Sequence, residues 1–299
     1  MASVQQIFLL FLPFLFISSF LSRSYAAGIA TYWGQHGEEG SLADACNTGN
    51  YQFINIAFLS TFGGGRTPKL NLGSHCDPDA NTCTVFSSQI KACQAKGIKV
   101  LLSLGGDSPN YSLNSADEAN QLANYLWTNF LGGSSGSRPL GDAVLDGIDF
   151  DIEAGGNGQQ YWGDLARTLK GLSQQLILSA APQCHFPDSH LSDAIDTGLF
   201  NYVWVQFYNN RDCQYNNGDT SGLLNAWKQW TAVKAEKVFL GVPATEAAAQ
   251  SGGFIPTNVM ISQVLPAIKT ATKYGGVMIW DRSFDLKSGY SVAIKGSIN

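Results

Sequence analysis

A single (β/α)8 TIM barrel is the fold that this sequence predicts, and three observations carry it. Eight short apolar runs recur along the chain, helical spacing fills several of the gaps between them, and no low-complexity linker divides the series. The runs fall at residues 28–33, 53–59, 99–104, 147–152, 176–181, 202–207, 237–242 and 276–280. Helical patterns occupy residues 88–96, 116–130, 159–173, 221–233 and 256–272. Strand, helix, strand repeated argues for parallel pairing, because parallel neighbours need a long crossover. Near-continuous apolar strands such as Val100-Leu101-Leu102 and Val238-Phe239-Leu240 fit strands covered on both faces.

The chain begins with an element to be set aside. Residues 7–21 are apolar and broken by Pro13, and a small-x-small site follows at Ser24-Tyr25-Ala26. This reads as a cleaved secretory leader over residues 1–26, although Met1 to Gln6 carries no Lys or Arg. The remaining unit, residues 27–299, is expected to be one secreted, extracellular catalytic domain, with vacuolar delivery left open. No later segment reaches transmembrane length, so no membrane partner is expected after cleavage.

Composition narrows the class. The 299 residues are 44% hydrophobic and 14% charged with a net charge of -5, the reverse of what disorder requires. There is no run of Lys or Arg to hold phosphate backbones, so nucleic acid is excluded as a partner. In a secreted chain, Cys46, Cys76, Cys83, Cys93, Cys184 and Cys213 read as three disulfides with 15 possible connectivities. Spacing by itself suggests only a local Cys76–Cys83 loop. No CxxC pair occurs and the four His are scattered, so no metal and no cofactor are expected. Asn110-Tyr111-Ser112 is an N-glycosylation sequon in a loop.

The strongest chemical signal is the fourth run, Asp146-Gly147-Ile148-Asp149-Phe150-Asp151-Ile152-Glu153. Residues two apart in a strand share a face, so Asp149, Asp151 and Glu153 project together while Ile148, Phe150 and Ile152 oppose them. The acids enter the barrel, with Glu153 at the C-terminal mouth where such barrels build their active sites. Crowded buried carboxylates separate their pKa values, and some stay protonated, which suits general acid catalysis.

The 146–153 run resembles the DxxDxDxE signature of glycoside hydrolase family 18. Tyr32-Trp33-Gly34-Gln35, Asn55-Ile56-Ala57-Phe58, Ser103-Leu104-Gly105-Gly106, Ala181-Pro182-Gln183-Cys184, Gln206-Phe207-Tyr208-Asn209 and 275–280 (GGVMIW) extend the likeness to the hevamine-like plant class III chitinases, over essentially the whole chain after the leader. The resemblance implies an endochitinase that cuts chitin or chitooligosaccharides with retention and has no enzymic nucleophile. Glu153 would protonate the glycosidic oxygen, and the substrate's own N-acetyl carbonyl would attack to give an oxazolinium ion. Asp151 would orient the acetamido N–H, Asp149 would share a proton with Asp151, and Tyr208 would bond the acetamido carbonyl. Trp280 would floor the site, with Tyr32, Gln35, Phe58, Asn71, Gly106, Gln206 and Asn209 as further sugar contacts. The resemblance also implies the pairs Cys46–Cys93, Cys76–Cys83 and Cys184–Cys213. The protein is expected to be a monomer, with lysozyme activity as a side reaction.

Three positions at the mouth depart from the family pattern. Ala154 stands where a His is expected, Asp107 where a third Gly is expected, and His36 where an Asn is expected. The segments 247–249 and 252–255 also differ. The alternative reading is a chitinase-like protein that binds carbohydrate or stores calcium. Such lineages often replace the catalytic acid, whereas Glu153, Asp151 and Tyr208 are all present here.

Overall fold

The computed structural model describes residues 27–154 and 158–299, and the expected leader lies outside them. Nine strands follow in order: β1 (Gly28–Trp33), β2 (Phe53–Gly63), β3 (Arg66–Leu70), β4 (Lys99–Gly106), β5 (Gly147–Ile152), β6 (Ile177–Ala180), β7 (Tyr202–Gln206), β8 (Lys237–Pro243) and β9 (Tyr274–Trp280). All but β3 pair in parallel around a ring, and β1 bonds both β9 and β2, which closes the barrel. Every one of the eight expected runs forms a barrel strand.

Alternation along the strands divides the apolar residues into two cores. Phe53, Tyr202, Trp204 and Phe239 turn inward, their ring centroids 4.7–5.9 Å apart, and plug the barrel. Val203 and Val205, one residue out of step, join the layer between strands and helices instead. Because the interior is filled, chemistry is confined to one end of the barrel.

The helices follow their own period. In Ala116–Phe130, the buried residues Ala119, Leu122, Ala123, Leu126 and Phe130 recur at three and four and form the stripe that packs on the barrel. Ser115 caps this helix by accepting from the Glu118 N–H, an interaction worth about 1 kcal/mol, and Asp117 and Glu118 suit the positive end. Gly132-Gly133 follows its last turn. The neighbouring helix Gln159–Leu172 buries Trp162, Leu165, Ala166 and Leu169 in the same manner.

Some elements differ from expectation. The second run does not stop at Leu59: β2 continues to Gly63, turns through Gly63, Gly64 and Gly65, all at positive φ, and returns as antiparallel β3. Pro68 and the exposure of β3 hide the alternation that would have marked it. Helices Arg282–Ser288 and Tyr290–Lys295 end the chain and were not expected. The pattern over 256–272 narrows to Thr257–Ile268, with a π-helical turn at Met260–Val264.

All six cysteines are bridged, as Cys46–Cys93, Cys76–Cys83 and Cys184–Cys213. Cys46–Cys93 ties the helix Leu42–Asn47 to the helix Phe86–Ala95. Cys76–Cys83 closes a loop with a sequence separation of 7, and Cys184–Cys213 joins the segments that follow β6 and β7. Among the described residues no helix is long and apolar enough to cross a membrane.

Candidate active site

Strand β5 sorts its carboxylates by depth. Asp149 lies deepest, fully buried, with both oxygens occupied. Its Oδ1 accepts from the Ser179 hydroxyl at 2.6 Å and the Trp204 indole at 2.8 Å, and its Oδ2 accepts from the Ser103 hydroxyl at 2.7 Å and the Tyr32 hydroxyl at 2.9 Å. Register explains two of these donors, because Ser103 on β4 and Ser179 on β6 are the strand partners of Asp149. Burial raises the Asp149 pKa, and the four donors pull against that rise.

Asp151 sits two residues higher, also buried, and Glu153 lies half-buried just beyond the end of β5. The Gln206 amide bridges them, its Nε2 lying 3.0 Å from Asp151 Oδ1 and 3.2 Å from Glu153 Oε1. The two carboxyls also hydrogen-bond each other. Burial is the first cause of the raised pKa at both sites. At Asp151 the charges of Glu153 and Asp149 add to it, and this pushes Asp151 well above the carboxylate range. Burial and mutual charge thus keep the Asp151–Glu153 pair partly protonated. Asp149 is taken up by its four donors, whereas Asp151 and Glu153 are joined through Gln206.

The cleft above these acids has a volume of about 440 Å³. Glu153, Tyr208, Trp280, Gln206, Asn209, Gln35, Phe58 and Asn71 line it, all of them expected site residues. Trp280 ends β9, its ring 5.5 Å from Tyr32 and stacked 6.2 Å from Phe58, so three aromatics form one apolar face. Tyr208 is 5% exposed, and burial with the charges of Glu153 and Asp151 raises its pKa, so it stays a neutral hydroxyl. Two expected contacts stand elsewhere. Tyr32 lies beneath the floor as a donor to Asp149, and Gly106 is replaced at the surface by its neighbour Gly105. A Cβ on Gly106 would meet the Phe58 ring at 2.9 Å, so this glycine lets the aromatic wall approach.

Several of the other expected contacts also have structural partners. Gln35 donates to the carbonyls of Ala57 and Asn71 at 2.7 and 3.0 Å, and Asn209 accepts from the Ser251 N–H at 2.9 Å. Among the departures, His36 lies on the cleft wall with Nε2 3.3 Å from Asp281, the residue that caps helix Arg282–Ser288. Burial pushes the Asp281 carboxyl up to about 6. Asp107 is exposed on the wall, and its charge helps to raise the Glu153 pKa. Ser60, Ser108 and Gln183 also line the cleft and were not expected. Gln183 stands in the Ala181-Pro182-Gln183-Cys184 motif, whereas no sequence signal sets Ser60 and Ser108 apart, because serines recur throughout the chain.

A paired, partly protonated set of acids at the C-terminal mouth of a closed barrel agrees with the family model for glycosyl hydrolases family 18, which matches residues 28–253. The chain belongs to glycosyl hydrolase family 18. Its relatives in the family include an acidic endochitinase of Cicer arietinum, 69% identical across 95% of this chain and 96% of that one. A solved chitinase of Ipomoea carnea superposes with a TM-score of 0.87 at 51% identity, covering 91% of this chain and all of the other. A xylanase and α-amylase inhibitor protein of Scadoxus multiflorus superposes with a TM-score of 0.85 at 44% identity, covering 91% of this chain and 99% of its own. The family 18 scaffold thus carries differing activities, and the reading of this chain depends on its cleft.

Proposed function

We propose that this protein is a secreted, monomeric endochitinase that hydrolyses the β-1,4 bonds of chitin and chitooligosaccharides with retention, by substrate-assisted catalysis. The observation that carries the reading is the close pairing of Asp151 and Glu153, whose Oδ1 and Oε1 lie 3.0 and 3.2 Å from the one Gln206 Nε2. A protein nucleophile needs a partner carboxyl about 5 Å away, and an inverting pair needs more than about 6 Å to admit water. Two carboxyls paired on one amide nitrogen leave no room between them for a water or a reacting sugar carbon. They fit one acid and one orienting group, with the nucleophile brought by the substrate.

In this mechanism Glu153, kept protonated by burial and by nearby negative charge, gives its proton to the glycosidic oxygen. The acetamido carbonyl oxygen of the sugar above Trp280 then forms a bond to the anomeric carbon as the glycosidic bond breaks. Asp151 accepts a hydrogen bond from the acetamido N–H and stabilises the developing positive charge. Tyr208, a neutral hydroxyl, donates to the carbonyl side of that group. Water opens the oxazolinium ion, and Glu153 removes the water's proton. A sugar with a plain hydroxyl at this position leaves Asp151 and Tyr208 unpaired, which costs it heavily.

The acidic endochitinase relative supports the substrate class, and lysozyme activity belongs to the same reading as a side reaction. Proton NMR during cleavage of a chitooligomer of five or six units tests the mechanism. The new reducing ends should appear first as the β anomer. Initial α products would reject retention, and binding without cleavage would favour the carbohydrate-binding alternative.

A further inference from the structure

One buried hydroxyl beside the reacting carboxyl has no part in the chemistry above. The Tyr111 Oη accepts from the backbone N–H of Glu153 at 2.9 Å and of Ala154 at 2.8 Å, and it donates to the carbonyl of Gly106 at 3.0 Å. These three bonds use both lone pairs and the single proton of the phenol. The residue is 1% exposed, its ring stacked 5.2 Å from Phe62 and edge-on to Trp162.

The position of this knot gives it a purpose. The β4–β5 ladder ends at the pair Gly106 and Ile152, so Glu153 is the first residue past the strand. Its N–H has left the ladder, and the phenol takes the place of a strand partner. The same hydroxyl holds Gly106, the residue before Asp107. Gly105 makes room for this reach: at φ +99 a Cβ there would meet the Asp151 carbonyl oxygen at 2.4 Å and the Tyr111 ring at 3.1 Å. The glycine pair that ends β4 thus admits a tyrosine from the following loop as well as the aromatic wall of the cleft.

We propose that Tyr111 is a positioning residue for glycoside hydrolysis, fastening the backbone at Glu153 to the end of β4 so that the carboxyl stands at a set height above the cleft floor. The proposal rests on the reading of Glu153 as the acid. Displacing a proton donor by about 1 Å can cost about 100-fold in rate while substrate binding survives. The loss therefore belongs in kcat rather than in KM.

Tyr111→Phe is the test, because it keeps the ring and its packing and removes only the oxygen. With a chitooligomer as substrate, kcat should fall about 10- to 100-fold with KM within about twofold. Phe62→Leu provides the comparison, since it loosens the ring and lowers Tm but leaves the hydroxyl in place; its kcat should stay within about twofold. A Tyr111→Phe kcat within twofold of the unaltered protein overturns the proposal. So does an equal loss of kcat in Phe62→Leu, which would assign the effect to packing. Glu153→Gln, measured alongside, separates the two levels. If it is inactive while Tyr111→Phe is unimpaired, only the role of Tyr111 falls; if it keeps its rate, the assignment of the acid falls with it.

Discussion

The two ends of β5 carry carboxylates from one eight-residue motif and use them in opposite ways. At the N-terminal end, Asp146 accepts from Lys99 Nζ at 2.8 Å, Gln94 Nε2 at 2.9 Å and the Val100 N–H at 3.0 Å. Every lone pair of use is met by a donor, one of them a cation, and the group serves as a brace between β5, β4 and the helix Phe86–Ala95. At the C-terminal end, Asp151 and Glu153 face each other with a neutral amide as their bridge, and a third acid lies below. Among the residues lining the cleft there is no Lys or Arg. A carboxylate supplied with cations stabilises a fold, whereas one deprived of them holds a proton that it can transfer.

The difference is sharpest at Glu153, the proposed acid. Glu153→Gln should lower kcat by about 100- to 10,000-fold while chitooligomer binding measured by calorimetry stays within a few-fold. A residual rate near that of the unaltered protein would break the contrast at its functional end. Asp149 lies between the two regimes, buried like the pair above it and satisfied like Asp146. Asp149→Ala strands four donors, from Tyr32, Ser103, Ser179 and Trp204, and should cost about 3 kcal/mol or more of folding stability by urea titration. A loss below about 1 kcal/mol would show that these donors find other partners.

Asp146→Ala should cost about 1 to 2 kcal/mol, moderated by the partial exposure of Lys99, and leave the kcat of the folded protein intact. A large loss of kcat without a loss of stability would move Asp146 into the catalytic group. The smallest effect concerns pH. Burial raises the folded pKa of Glu153 above its unfolded value of about 4.3. The protonated form is therefore favoured by folding, and the stability this gives is present below that pH and lost as pH rises through the folded pKa. Relative to the unaltered protein, Glu153→Gln should gain Tm as pH is raised from 4 to 8. Asp107→Asn removes a charge that helps to keep Glu153 protonated, so the alkaline limb of kcat should move to lower pH by a fraction of a unit. A limb that stays in place or moves upward would show that Asp107 does not act on the acid.

What could be read in advance divides along the same line. The eight barrel strands were legible because each carries a short apolar or alternating run and is separated from the next by a crossover. The site acids were legible because alternation in one strand places Asp149, Asp151 and Glu153 on one face without reference to any other element. By contrast, β3 owes its existence to three glycines at positive φ and to the tail of β2, and Pro68 obscures it. Tyr111 was visible only as the middle of a glycosylation sequon, and nothing local says that its hydroxyl reaches across to Glu153. Asp281 gave no signal either, although it receives His36 and caps the helix after β9.

The sequence by itself determined the closed barrel, the face of β5 that carries the acids, and the family to which the chain belongs. The barrel and the acid-bearing face follow from periodicity and local spacing, which the backbone enforces wherever the strand lies, and the family follows from the resemblance of the strand-end motifs. Only the tertiary structure decided which carboxyls are paired, which end of β5 is a brace, and which donors surround each acid. Each of those depends on donors brought from distant points of the chain, on β1, β4, β6 and β7, into one region of low dielectric. In such a region the count of donors around a carboxyl, rather than its place in a motif, sets what it can do.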